Sequence, residues 1–266
     1  MTLILNALTH SYVVQVSDRQ LSLGGKRIDP PTNKSVIFCG HIAYGYTGQA
    51  FIENKATELW LVDVLAGAHS PTQALEAIAS RATDAFRRSS QLRNKRHAFV
   101  GVGFGSISNE LQPLLCVISN YTDTQDRQVR GVRDTFTYDC TILDPKNSFY
   151  LFPAGQRLHE SEVGAFIANA RSVVKRADAQ AMADLLVRKV REVADRTETV
   201  GKDVMVTIFP KSAVPFRSIA TSFGPKPLTG QATFRYRPAD DRNDIFYGPA
   251  IVCGGVTHMG SQGQLL

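Results

Sequence analysis

The chain has 266 residues, which suits one domain or one domain with an appendage. With 43% hydrophobic and 20% charged residues, it carries enough apolar material for a sizeable core and does not read as disordered. A formal charge of +6 permits acidic partners without demanding nucleic acid, and no apolar run reaches the roughly 18 residues of a spanning helix, so neither nucleic acid nor membrane is expected as a partner.

Residues 2–9 and 12–18 are rich in Leu, Ile, Val and Tyr and predict a hairpin around Thr9–Ser11. Residues 34–39 and 42–47 predict a second strand pair. From Gln49 the period becomes helical, with Ile52, Ala56 and Leu59 on one face. A second helix opens where Ser70 can cap, Pro71 occupies the first turn and Gln73 closes a capping box. Leu75, Ile78, Ala79, Ala82 and Phe86 form its apolar stripe. Strand-like runs follow at 98–104, 113–119, 135–143 and 148–153. Two further helices present Val163, Phe166, Ile167, Ala170 and Val174, then Met182, Leu186, Val190 and Val193. Residues 204–209 are a last buried strand. This order of strand and helix blocks predicts an α+β fold of segregated layers, with two packed sheets between two helix layers. The segment from Pro210 onward is Pro-rich and aperiodic, and reads as an extended arm; the expected division is 1–210 and 211–266.

A three-residue hairpin tip would pair Leu8 with Tyr12 and so place Thr2 opposite Asp18 on one face. That juxtaposition bears on chemistry. Thr2 follows Met1, and its side chain is small enough for Met1 to be trimmed, leaving one residue with a hydroxyl and a free amine. The amine, with a pKa of about 7.7–8.0, can take the proton of its own hydroxyl, so no distant histidine is needed. A cation beside the pair favours the incipient alkoxide: Lys34 is the candidate, and Asp18 its anchor. Gly48, expected at a strand-to-helix junction, can offer its N–H to a tetrahedral oxyanion.

These residues resemble a known family. Asp18 lies 16 residues after Thr2, Lys34 a further 16, and Gly48 a further 14, within the sequences SDRQ, NKSVI and YGYTGQA. The intervals are similar to those of proteasome β-type subunits and their bacterial relatives among the N-terminal nucleophile (Ntn) hydrolases. The likeness is strong over the first 50 residues and architectural to about residue 210. It implies a four-layer αββα sandwich and a threonine-type hydrolase cleaving peptide bonds through an acyl-enzyme on Thr2, without metal or organic cofactor. It also implies peptide or unfolded-protein substrates, a homo-oligomeric ring or helical array, and an ATP-dependent unfoldase as feeding partner. Leu21, Tyr46 and Ala50 would border the substrate side-chain pocket, with Tyr46 making it shallow. Two departures stand out. Pro153–Ala154–Gly155 replaces the family's Gly-Ser-Gly, and Asp195 and Thr199 are candidate stand-ins for a later Asp-x-x-Ser-Gly-Gly element. They leave open a catalytically weak or silent self-assembling scaffold, and a small-molecule amidase on the same fold is a further alternative.

Other features read as structural. The glycines of GVGFGS (101–106) suit close backbone packing better than phosphate binding. The basic run 87–96 reads as a solvated loop, and 239–244 as a polar turn. The six histidines have no ligand spacing. Cys39, Cys116, Cys140 and Cys253 are far apart in sequence and read as reduced core thiols. MTLILNAL lacks a basic flank and cleavage site, so the chain is read as cytoplasmic.

Overall fold

The computed structural model describes residues 2–23, 26–28, 32–107, 110–128, 131–213, 233–237 and 249–258. Strands β1 (Leu3–Thr9) and β2 (Tyr12–Asp18) form the expected hairpin, followed by the short pair β3 (Leu21–Leu23) and β4 (Lys26–Ile28). Then come β5 (Ser35–Phe38), β6 (Ile42–Thr47), β7 (Phe51–Ile52), β8 (Lys55–Ala56), and helices α1 (Thr57–Ala66) and α2 (Pro71–Arg88). The middle strands are β9 (Ala98–Ile107), β10 (Glu110–Ser119), β11 (Thr137–Ile142) and β12 (Phe149–Gly155). Helices α3 (Glu160–Val174) and α4 (Ala179–Ala194) precede β13 (Val204–Pro210), β14 (Thr233–Arg237), β15 (Ile251–Cys253) and β16 (Val256–His258).

Two sheets organise these elements: a five-stranded one ordered β12-β1-β2-β13-β14 and a seven-stranded one ordered β11-β10-β9-β6-β5-β15-β16. Side-chain parity explains the layering. Leu3, Leu5, Val14 and Val16 point to a core shared with Met182, Leu186 and Val190 of α4. Ile4, Leu8 and Val13 point the other way and meet Val100, Val102 and Phe104 of the second sheet. The outer face of that sheet, through Val36, Phe38 and Tyr44, packs on Trp60, Leu61, Ile78 and Phe86 of α1 and α2. Strands apolar on both faces are thus covered on both faces, and the architecture is a four-layer αββα sandwich.

Three local expectations change. The hairpin pairs Leu8 with Val13 and Ile4 with Ser17, one step from the predicted register. The cause is Thr9: its hydroxyl accepts from Tyr12 N (2.9 Å) and donates to Tyr12 O (2.7 Å), drawing both residues into the ladder around a two-residue turn. Helix α1 starts at Thr57, not near Gln49, because Glu53 and Asn54 adopt positive φ (50° and 60°) and turn β7 back onto β8. Leu59 is consequently exposed, and Trp60 and Leu61 face the core. The expected arm after Pro210 is partly built into the sheets: among its described residues, Lys211–Ala213 form a 3-10 turn, β14 pairs with β13, and β15 lies parallel to β5 with β16 outermost. Residues 214–232, 238–248 and 259–266 of that expected arm, including the turn at 239–244, lie outside the described residues.

Other expectations hold wholly or in part. Ser70 caps α2 by accepting from Gln73 N at 3.2 Å and Pro71 opens the helix, but the expected box closes one residue early, the Gln73 side chain accepting from His69 N at 2.9 Å. A Cβ on Gly103 would lie 1.9 Å from His41 O, and one on Gly101 would lie 2.6 Å from the Tyr44 ring, so these glycines serve close packing.

One polar chain ties the sheets together across their apolar interface. Asn6 and Gln15 are directly opposed on β1 and β2. Gln15 Nε2 donates to Asn6 Oδ1 (2.9 Å), Asn6 Nδ2 to Phe152 O (2.9 Å), and Ser35 Oγ of the other sheet to Gln15 Oε1 (2.7 Å). All three side chains are buried, so each bond left unmade would carry a full desolvation cost. Gln15→Ala is expected to lower unfolding free energy by about 2–4 kcal/mol in urea titrations, because it strands Asn6 and Ser35.

Candidate functional site

The shifted register places Leu3, not Thr2, opposite the position of Asp18, yet the predicted constellation assembles. Asp18 ends β2, where its carboxylate fills the mouth of the hairpin. Oδ2 accepts from Leu3 N at 2.7 Å; Oδ1 accepts from Gln20 N at 3.1 Å and Gly201 N at 3.4 Å. Lys34 reaches it from the residue before β5, in the opposite sheet. Its Nζ donates to Asp18 Oδ1 at 2.7 Å and to Thr2 Oγ1 at 2.9 Å. Thr2, Asp18 and Lys34 are 6%, 0% and 1% exposed. Burial pulls the Lys34 ammonium below the usual lysine range, against the opposing pull of the Asp18 carboxylate. It therefore gives up a proton more readily than a surface lysine does.

The backbone of Thr2 is braced from β12. Gln156 N donates to Thr2 O at 2.9 Å, and Gly155 passes so close that a Cβ there would lie 2.0 Å from the same oxygen. Gly155 also has φ +90°, so only glycine suits the position. Ala154 lies opposite Ile4 in the inter-sheet core and brings no hydroxyl. The two candidate stand-ins separate clearly. Asp195 is an exposed residue paired with Lys202 at 2.5 Å. The Thr199 hydroxyl is buried without a hydrogen-bond partner among the described residues, two positions before Gly201 and its contact to Asp18.

Gly48 stands at a corner between β6 and the β7–β8 turn rather than at a helix start. It has φ +118°, and a Cβ there would come within 2.5 Å of Arg96 O and 2.8 Å of His97 Nδ1. His97 holds this corner by accepting from Gln49 N at 2.9 Å, which fixes Nδ1 as the unprotonated nitrogen. The imidazole is fully enclosed, with its ring stacked on Tyr46, and burial depresses it to about 3. The sequence signals only an isolated histidine here; its role depends on β9 lying beside β6.

The expected pocket residues do not form an open wall. Leu21 and Tyr46 are closed off from solvent, and Ala50 is half-buried. Behind Tyr46 lies a carboxylate that the sequence reading missed. Glu58, in the first turn of α1, accepts from Thr32 Oγ1 at 3.1 Å and interacts with Arg19 and Asn33. Burial raises it to about 7, outweighing those partners. The charges of Glu58 and Asp18 add to burial in pushing up the Tyr46 phenol. The expected helix start near Gln49 gave no reason to single out Glu58, which the observed start at Thr57 places in the first turn.

No protein-family model matches the sequence, and no curated protein matches it. Among solved structures, the fold is similar to a mutant of Anbu from Hyphomicrobium sp. strain MC1, at 13% identity and a TM-score of 0.50. The match covers 91% of this chain and 89% of that one. The fold is of the Ntn-hydrolase type. At this identity the likeness concerns architecture, and the chemistry rests on the residues just described. Among the described residues, no helix is long and apolar enough to cross a membrane.

The displaced titrations of His97 and Glu58 have opposite signs. His97 is depressed from 6.5 to about 3, so its contribution to stability is complete above pH 6.5 and lost as pH falls toward 3. Glu58 is raised from 4.5 to about 7, so its contribution is complete below pH 4.5 and lost as pH rises through 7. Thermal melts across this range should show a shallower acid limb for His97→Asn, which keeps an acceptor for Gln49 N, and a flatter neutral limb for Glu58→Gln.

Proposed function

We propose that removal of Met1 makes Thr2 the N-terminal nucleophile of a threonine-type hydrolase that cleaves amide bonds in peptides. The observation that carries this reading is the buried Lys34 ammonium, held between the Thr2 hydroxyl and the Asp18 carboxylate. In this mechanism the freed Thr2 amine takes the Oγ proton as Oγ attacks the substrate carbonyl carbon. Lys34 stabilises the oxygen as it loses that proton, and Asp18 keeps Lys34 charged and in place. The Gly48 N–H receives the tetrahedral oxyanion. Collapse breaks the amide C–N bond, and the Thr2 ammonium returns its proton to the leaving amine. An ester on Thr2 remains; water, deprotonated by the same amine, hydrolyses it. The Thr199 hydroxyl, buried and unpartnered among the described residues, is our candidate for orienting the amine in place of the hydroxyl that Ala154 lacks. Leu21, Tyr46 and Ala50 border the side-chain subsite once a substrate opens it.

The same reading includes assembly into a homo-oligomeric ring or helical array in the cytoplasm, with peptides or unfolded proteins delivered by an ATP-dependent unfoldase. A second reading, a self-assembling scaffold without turnover, is favoured by one observation: Ala154 occupies the place of the family's serine.

Intact mass separates the two readings first, since retained Met1 leaves no amine base and supports the scaffold. In protein lacking Met1, a peptide epoxyketone should add once, at Thr2. Thr2→Ala should lose the adduct and reduce peptide-library turnover by about three orders of magnitude, with native mass unchanged apart from the substitution. Equal turnover in that variant removes Thr2 from the mechanism.

A further inference from the structure

Four cysteines that look unrelated in sequence meet in two pairs. Cys116 on β10 and Cys140 on β11 are directly opposed across antiparallel strands, with their sulfurs 2.6 Å apart. Cys39 follows β5 and Cys253 ends β15, and the parallel pairing of Ile37 with Ile251 and Phe38 with Val252 carries them side by side. Their sulfurs are 2.9 Å apart, and Cys39 N donates to Val252 O at 2.8 Å. All four are free thiols. Each pair needs less than an ångström of movement to reach bonding distance, and adjacent strands already supply the Cα spacing that a bridge requires.

Access differs between the pairs. Cys140 is exposed and Cys116 buried; Cys39 and Cys253 are both half-buried. The hydrogen bond with Cys116 holds Cys140 below the ordinary thiol range, whereas burial pushes Cys39 up. The more accessible and more acidic sulfur therefore sits on β11, at the edge of the seven-stranded sheet.

We propose that both pairs are oxidisable dithiols, each closing to a disulfide by exchange with a low-molecular-weight disulfide, with Cys140 attacking first at its site. The Cys140 thiolate attacks one sulfur of the small disulfide, whose S–S bond breaks and releases one thiolate. Cys116, losing its proton to solvent, then attacks the Cys140 sulfur and expels the second thiolate. Two electrons pass from the protein pair to the small disulfide, which becomes two thiols. The same exchange joins Cys39 to Cys253. That bridge spans 214 residues and staples β15 to the strand that follows Lys34 directly. It should raise thermal stability by restricting the unfolded chain.

The test uses the full-length protein with oxidised glutathione as the probe, then denaturation, alkylation and mass analysis. Reduced protein should take up four alkyl groups and oxidised protein none. Non-reducing peptide maps should contain only the 39–253 and 116–140 linkages, and the melting midpoint should rise by several degrees. Cys116→Ser should trap one glutathione on Cys140. Persistent alkylation of either pair, any other linkage, or a Cys116→Ser protein without glutathione on Cys140 would overturn the proposal.

Discussion

The site depends on a lysine taken wholly out of water. Moving an ammonium and a carboxylate into a protein interior costs several kcal/mol per ion unless hydrogen bonds replace the lost hydration. Asp18 meets this condition through three backbone N–H groups as well as Lys34 Nζ, so its negative charge is satisfied by the fold around it. Those donors come from β1, from the residues after β2 and from the turn before β13. The five-stranded sheet is therefore organised around the carboxylate, and the carboxylate in turn directs the ammonium to the Thr2 hydroxyl. Burial works against the charge on Lys34 while Asp18 supports it. In the proposed mechanism this places a buried cation against the Thr2 hydroxyl as that oxygen loses its proton.

Because Lys34 belongs to the opposite sheet, its position on Thr2 is only as fixed as the packing between the sheets. Apolar contacts such as Ile4 and Val13 against Val100 and Val102 are strong but tolerant of sliding. The Asn6–Gln15–Ser35 chain is directional, and Ser35 is the neighbour of Lys34. A buried polar network of this kind selects one alignment of two greasy faces. His97 has a similar office at the other end of the site: a neutral ring with a lone pair aimed at Gln49 N holds the corner that carries Gly48.

The cysteine pairs extend this theme of cross-strand ties to covalent chemistry. Cys39 and Cys253 join the turn after the Lys34-bearing segment to a strand from the far end of the chain. The C-terminal segment thus belongs structurally to the sheet that presents Lys34, through β15 and β16, and to the other sheet through β14.

Much of this was legible in the chain itself. Apolar alternation located the strands, and the stripe on α2 with its Ser70 cap located that helix, because both signals arise from neighbours within a few residues. The intervals from Thr2 to Asp18, Lys34 and Gly48 were likewise visible as spacing. What they could not specify was register. The hydroxyl of Thr9 shifted the hairpin by one residue, and only the convergence of Leu3, Gln20, Gly201 and Lys34 on one carboxylate kept the site intact. Glu58, His97 and the partnering of the cysteines were decided by tertiary structure alone. Each depends on which strands lie side by side, and residues separated by tens to hundreds of positions carry no local period that records their meeting.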